Sequence, residues 1–239
     1  MSQTYFLKTV PEIIDPSLSL SEKLEITVHN TGNYFFEHAV EKQIKNYTVL
    51  NEIDDIHEDD STLILSMSNF ISPSTDLSEV ADNIEKKKIA KVVMIGAGAQ
   101  AYDYNERLSL TKGTKRFLDI LSERSESIGV RGAYTANVLN DIGIKNVDII
   151  GCPSIFFHAD PRFKVTPKEF NMDEKIKAVF HFTPVGYYRD KVSSLLSFGV
   201  RNCEAYIAQS ENFLLGFNQE TEENLKHLKF FFHYYNDGA

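Results

Sequence analysis

The sequence predicts an α/β protein built on a doubly wound, parallel sheet. Three observations lead there. Short runs of β-branched and aliphatic residues recur along the chain, segments of helical length and amphipathic pattern separate them, and polar or glycine-containing loops follow the runs. Parallel neighbours need crossover connections, so this alternation favours a doubly wound sheet over an antiparallel sandwich.

The runs at 24–29, 62–66, 91–95, 127–130 and 147–150 read as buried strands. Between them, 34–45 reads as a helix. Over 113–125, Phe117, Leu118 and Leu121 share one face while Lys115, Asp119 and Glu123 lie elsewhere, which predicts a second helix. A third is predicted over 132–142, with Gly143 ending it. The acidic stretch 51–60 reads as a solvated loop rather than a metal site, and Lys86, Lys87 and Lys88 as a solvated helix end. After Ile150 the pattern breaks at Gly151-Cys152-Pro153-Ser154, Asp160-Pro161 and Thr166-Pro167. The expected division is a domain over 1–160 and a partial second α/β domain over 161–239. In the latter, 177–182 reads as a strand, 189–198 as a helix, 203–208 as a second strand and 229–233 as a third. So short a second domain lacks the material for a sound core of its own. It is expected either to pack against the first or to be a fragment.

Composition narrows the function. The 239 residues are 42% hydrophobic and 25% charged, as in ordinary globular proteins. A net charge of −9, with one compact basic run, argues against a nucleic-acid surface, which needs clustered cations. Cys152 and Cys203 are far apart, giving neither a disulfide framework nor a zinc pattern, so no metal is expected and reducing cytoplasm is the default compartment. No secretory leader and no apolar stretch of membrane-spanning length is found, so contact with a membrane would be peripheral. The seven histidines form no metalloprotease motif, and no serine sits in a nucleophile elbow. His38 is expected on a helix face as a core or boundary residue, and His29 and His181 at strand ends.

In open α/β sheets ligands bind beyond the carboxyl ends of the strands. By that rule the candidate loops are Asn30-Thr31-Gly32-Asn33, Ser68-Asn69, Gly96-Ala97-Gly98-Ala99-Gln100, Arg131-Gly132 and Cys152-Pro153-Ser154. Arg131 follows a strand and precedes a helix, where a guanidinium can hold a carboxylate or phosphate in a bidentate fork; pairing with a surface Glu is an equal alternative. Asn30, Gly32, Asn33, Asn69, Gly98 and Gln100 are the candidate substrate-binding residues, although Asn is also an ordinary helix cap and the glycines could serve a tight turn alone. The spacing Gly96-x-Gly98-x-x-Ala101 fits a dinucleotide turn only weakly, because it lies far from the first strand. No cofactor is expected.

Taken in order, NTGNYFFEHAVEKQI, SMSNFISPSTDL, KVVMIGAGAQ and SIGVRGAYTANVLNDIGIKNVDIIGCPSIF resemble the polysaccharide pyruvyltransferase family. The last block is the most specific. The resemblance implies a Rossmann-like first domain of a glycosyltransferase-B-like pair. It implies transfer of pyruvate from phosphoenolpyruvate, as donor substrate, to a saccharide acceptor as a ketal, in surface polysaccharide biosynthesis. Arg131 would supply the catalytic cation, and Asn30, Asn33, Asn69 and Gln100 would surround the acceptor. A lipid-linked glycan and an oligomer are both compatible with this reading. The family's Arg-x-His triplet in the second domain does not occur in these 239 residues, and truncation is the expected reason. Three alternatives follow: a pyruvyltransferase-like enzyme, a non-catalytic or truncated acceptor-binding domain, and a related glycosyltransferase using a nucleotide sugar.

Overall fold

The computed structural model describes residues 3–9, 17–18, 22, 31–101, 107–158, 160–167, 169, 171, 176–181, 189–208 and 229–230. It divides into two compact units, one of Met1–Ile13 with Gly32–Phe163, the other of Ile14–Thr31 with Lys164–Ala239.

The first unit is a six-stranded sheet. Its strands are β1 (Thr4–Leu7), β2 (Thr48–Leu50), β3 (Thr62–Leu65), β4 (Lys91–Ala97), β5 (Ile128–Val130) and β6 (Val147–Ile149). They lie in the order β2-β1-β3-β4-β5-β6, and every neighbouring pair is parallel. The helices are α1 (Thr31–Glu41), α2 (Ser78–Lys86), α3 (Lys112–Arg124) and α4 (Ala133–Asp141). The strand alternation decides which helix covers which face. Tyr5, Leu63, Leu65, Val92 and Met94 join Ala81 and Ile84 of α2, Phe117, Leu118 and Leu121 of α3 and Leu139 of α4 in the larger core. Phe6, Ile64, Val93 and Ile95 point the other way and meet Val40 of α1. Strands buried on both faces carry near-continuous apolar runs, and this is why they could be read from sequence.

The connections explain the surface charges. Residues 51–60 form a single 3₁₀ turn (Ile53–Asp55), pinned by buried Ile53 and Ile56. Its acids face the end of α2: Lys86 Nζ is 3.1 Å from Asp54 and Lys88 Nζ is 2.8 Å from Asp59. Arg116 of α3 bridges Asp82 at 2.5 Å and also Glu85, joining α3 to α2. Helix α4 ends as expected, with Gly143 at φ +100° just beyond it.

Two expectations need correction. The helix placed at 34–45 runs over Thr31–Glu41. Val40 and Ile44 keep a helical spacing and Ile44 packs on the smaller core, but the chain leaves the helix in a turn and reaches Asn46 at φ 57°. The apolar contact outlasts the helix that suggested it. The first described strand of the sheet is Thr4–Leu7, which the sequence reading did not anticipate; the strand expected at 24–29 lies outside the described residues.

In the second unit, β7 (Ile176–His181), α5 (Arg189–Asn202) and β8 (Cys203–Ala208) form a parallel crossover unit, with β7 and β8 paired from Ile176↔Cys203 to His181↔Ala208. A short β9 (Lys229–Phe230) lies parallel on the other side of β8. Within the described residues these match the expected strands and helix at 177–182, 189–198, 203–208 and 229–233; residues 182 and 231–233 lie outside them.

Tyr5 is buried and its hydroxyl donates to Glu58. Burial, reinforced by the Glu58 hydrogen bond and charge, pushes its pKa from 10 up to about 12. The folded value exceeds the unfolded one, so this contribution to stability is complete below pH 10 and is lost as pH rises towards 12. Ultraviolet titration should show one tyrosine ionising well after the others, and Tyr5→Phe should remove that step. Identical titration curves for the two proteins would refute the assignment.

Candidate active site at the carboxyl edge of the sheet

Strand β1 is flanked by β2 and β3, so the chain turns one way from β1 and then crosses back to build the remaining strands. This reversal makes the β1/β3 boundary the topological switch point, the place where open α/β sheets bind their ligands. The end of β3 and the first turn of α1 meet here. Ser68 is buried, and its Oγ lies 3.3 Å from Oδ1 of Asn33 and 3.3 Å from Oδ1 of Asn69.

Beyond Leu65 and Ala97, β3 and β4 stay together. Ile71 bridges Ala99 in parallel fashion, Ile71 N donates to Gly98 O at 3.3 Å, and Gln100 N donates to Ile71 O at 2.9 Å. A Cβ on Gly98 would lie 2.1 Å from Ser68 O and 3.3 Å from Cδ of Arg131. Gly96 sits at φ +73°, where a Cβ would lie 2.7 Å from Cδ of Pro153 and 2.9 Å from Cζ of Phe36. Both glycines are therefore required by close packing. They belong to a strand and its bridged extension, and no helix begins among residues 98–101, where a dinucleotide turn would open one.

Arg131 follows β5. Its N–H donates to Ala97 O at 2.9 Å, its Cδ runs past Gly98, and its guanidinium carbon sits 4.8 Å from the centroid of the Phe36 ring. Nε is buried without a hydrogen-bond partner. Among the described residues no carboxylate lies within ion-pair distance of the guanidinium, so pairing with a surface Glu does not account for it. One residue later α4 begins, and Thr135 in its first turn accepts from Ala99 N at 2.9 Å, tying the helix start to the end of β4. Neither α1 nor α4 carries an acidic residue in its first turn. In a chain of net charge −9, Arg131 thus has no carboxylate partner among the described residues.

Of the expected site residues, Asn33, Asn69, Gly98 and Arg131 come together around Ser68. Gly32 lies beside Asn33 in the first turn of α1, half-buried. Gln100 is exposed just past the Ile71–Ala99 bridge, held there by its backbone. Asn30 and His29 lie outside the described residues. His181 ends β7 as expected. His38 is half-buried on α1; burial first, then Lys42, holds its pKa below the ordinary value. Cys152 and Ser154 flank Pro153, with Sγ and Oγ 3.0 Å apart. Sequence reasoning missed Phe36 and Thr135. It also missed the end of β1, where buried Lys8 pairs with Glu41 at 2.9 Å and Thr9 N donates to buried Glu37 at 3.1 Å. Among the described residues no cluster of three or more acidic, histidine or cysteine side chains could hold a metal ion, and no helix is long and apolar enough to cross a membrane.

A sequence model of the family described as polysaccharide pyruvyl transferase matches residues 30–236. The chain belongs to the polysaccharide pyruvyl transferase family. Membership implies a transferase with a saccharide acceptor, and the matched span contains every element of the site except the end of β1. No curated protein matches the chain significantly. The crystal structure of protein KP1_0663 from Klebsiella pneumoniae subsp. pneumoniae NTUH-K2044 is similar over 96% of this chain and 82% of its own length, with 11% identity and a TM-score of 0.45.

The close packing can be tested directly. Gly98→Ala should destabilise the protein by about 1–3 kcal/mol or more, because the obstructing atom is a backbone carbonyl oxygen. Gly132→Ala meets nothing within 4 Å and has extended backbone, so it should cost under about 1 kcal/mol, the loss of a glycine cap. Equal urea midpoints for the two variants would remove the steric account of Gly98.

Proposed function

We propose that this chain binds phosphoenolpyruvate at Arg131 and a saccharide beside it, and that pyruvyl transfer to the saccharide is its reaction. The observation that carries this reading is the Arg131 guanidinium beyond β5, its Nε buried without a partner and no carboxylate paired with it among the described residues, beside a helix whose first turn has no acidic residue. The donor's carboxylate and phosphate are planar or tetrahedral anions suited to a bidentate fork. Asn33, Asn69 and Gln100 supply amide donors and acceptors for sugar hydroxyls, and Gly98 keeps the approach to Arg131 clear. Asn30 and Gly32 adjoin Asn33 in the sequence and take the same role.

The chemistry needs one proton delivered and two removed. Protonation of the donor's methylene carbon makes its enol carbon electrophilic, one sugar hydroxyl adds there, phosphate departs, and a second hydroxyl closes the ketal. One hydroxyl proton is balanced by the new methyl group and the other leaves with phosphate. Negative charge grows on the departing phosphate, and a fixed cation there stabilises the transition state more than the ground state.

This reading places the work in surface polysaccharide biosynthesis, in the cytoplasm where phosphoenolpyruvate is made, with the two units arranged as a glycosyltransferase-B-like pair. The lack of an Arg-x-His triplet in the 239 residues supports a second reading, in which these residues are a non-catalytic or truncated acceptor-binding domain.

Titration calorimetry with phosphoenolpyruvate, using inorganic phosphate as the control ligand, tests the donor site. Saturable binding is expected, and Arg131→Ala should lower donor binding or turnover ~10²–10³-fold, the usual loss for one preorganised anion contact. Undiminished binding by Arg131→Ala would remove Arg131 from the mechanism. Phosphate release in the presence of a saccharide acceptor separates the catalytic reading from the binding one.

A further inference from the structure

We propose that Phe36 is a positioning residue for the donor site: its ring face fixes the plane of the Arg131 guanidinium and leaves the guanidinium donors for the incoming anion. The inference rests on the reading of Arg131 as the donor's cation.

An arginine side chain has several free torsions, and a productive fork needs its plane fixed before the ligand arrives. Proteins commonly fix it with a carboxylate. That solution consumes the N–H donors and neutralises the charge the ligand would meet. Among the described residues no carboxylate pairs with Arg131. What holds it is its backbone bond to Ala97 O, the passage of Cδ along Gly98, and the Phe36 ring 4.8 Å from the guanidinium carbon. A ring face attracts the cation through its quadrupole yet accepts none of its in-plane N–H groups in the way an oxygen would.

Phe36 is itself immobilised. It is 2% exposed, and its Cζ occupies the space that a side chain at Gly96 would take. The left-handed backbone at Gly96 therefore sets the height of the ring, and the ring sets the plane of the guanidinium. Phe36 is also on α1, the helix whose first turn carries Asn33 beside Ser68. One helix thus carries both the ring against the cation and the amide beside Ser68.

The test titrates phosphoenolpyruvate into the full chain carrying Phe36, Phe36→Leu, or 3,5-difluorophenylalanine at the same position. Fluorination at these carbons weakens the ring face while leaving the atom against Gly96 unchanged. Both substitutions should weaken donor affinity ~3–30-fold, and the fluorinated protein should keep the parent's melting temperature. In an Arg131→Ala background the fluorinated ring should have no further effect, since its partner is gone. Full affinity in the fluorinated protein overturns the proposal, whether or not Phe36→Leu folds, because the ring would then act by shape alone. Absence of saturable binding by the unmodified chain would instead sink the reading of Arg131, and this inference with it.

Discussion

Two backbone approaches at the carboxyl end of β4 hold this site together. Gly98 lies so near Ser68 O, and Gly96 so near Pro153 and Phe36, that no side chain fits at either position. The first approach lets β3 and β4 continue past their last regular pairs through the Ile71–Ala99 bridge. The second lets α1 on one side and the loop after β6 on the other close over the same strand end. Through these contacts Ser68 meets Asn33 and Asn69, and Gly98 lies between Ser68 O and the Arg131 side chain.

Much of the fold was legible because parallel strands bury both faces. Residues 62–65 and 91–97 are continuous apolar runs for that reason, and the stripe of Phe117, Leu118 and Leu121 marks α3 unambiguously. The elements that escaped notice lack such signals. Strand β2 has three residues, two of them exposed. Helix α2, of which only the basic end at Lys86, Lys87 and Lys88 was legible, buries only Ala81 and Ile84 and has no side-chain cap. Strand β1 is four residues beside a polar terminus. A short element at a sheet edge or beside a terminus draws its stability from its neighbours, and its own residues hardly declare it.

The site divides along the same line. Arg131, Asn69 and Gly98 were found by position alone, since ligands gather beyond strand ends. Phe36 could not be, because an aromatic residue on an amphipathic helix reads as core, and this one is indeed buried. Its second role exists only in three dimensions, where the arginine crosses its face. The ambiguity of Arg131 was of another kind. A sequence places an arginine near a helix start but does not say whether a carboxylate reaches it, and that question decides between a surface ion pair and an anion site.

Leaving a guanidinium nitrogen buried and unanswered has a cost in the empty protein, of the order of 1–3 kcal/mol for an unsatisfied polar group. On the proposed reading of Arg131 as the donor's cation, the fold gives up stability at this position for the sake of binding. An apolar side chain over the Phe36 ring would then make a more stable protein and a poorer host for an anion, so stability and donor affinity are expected to change in opposite directions at this one position.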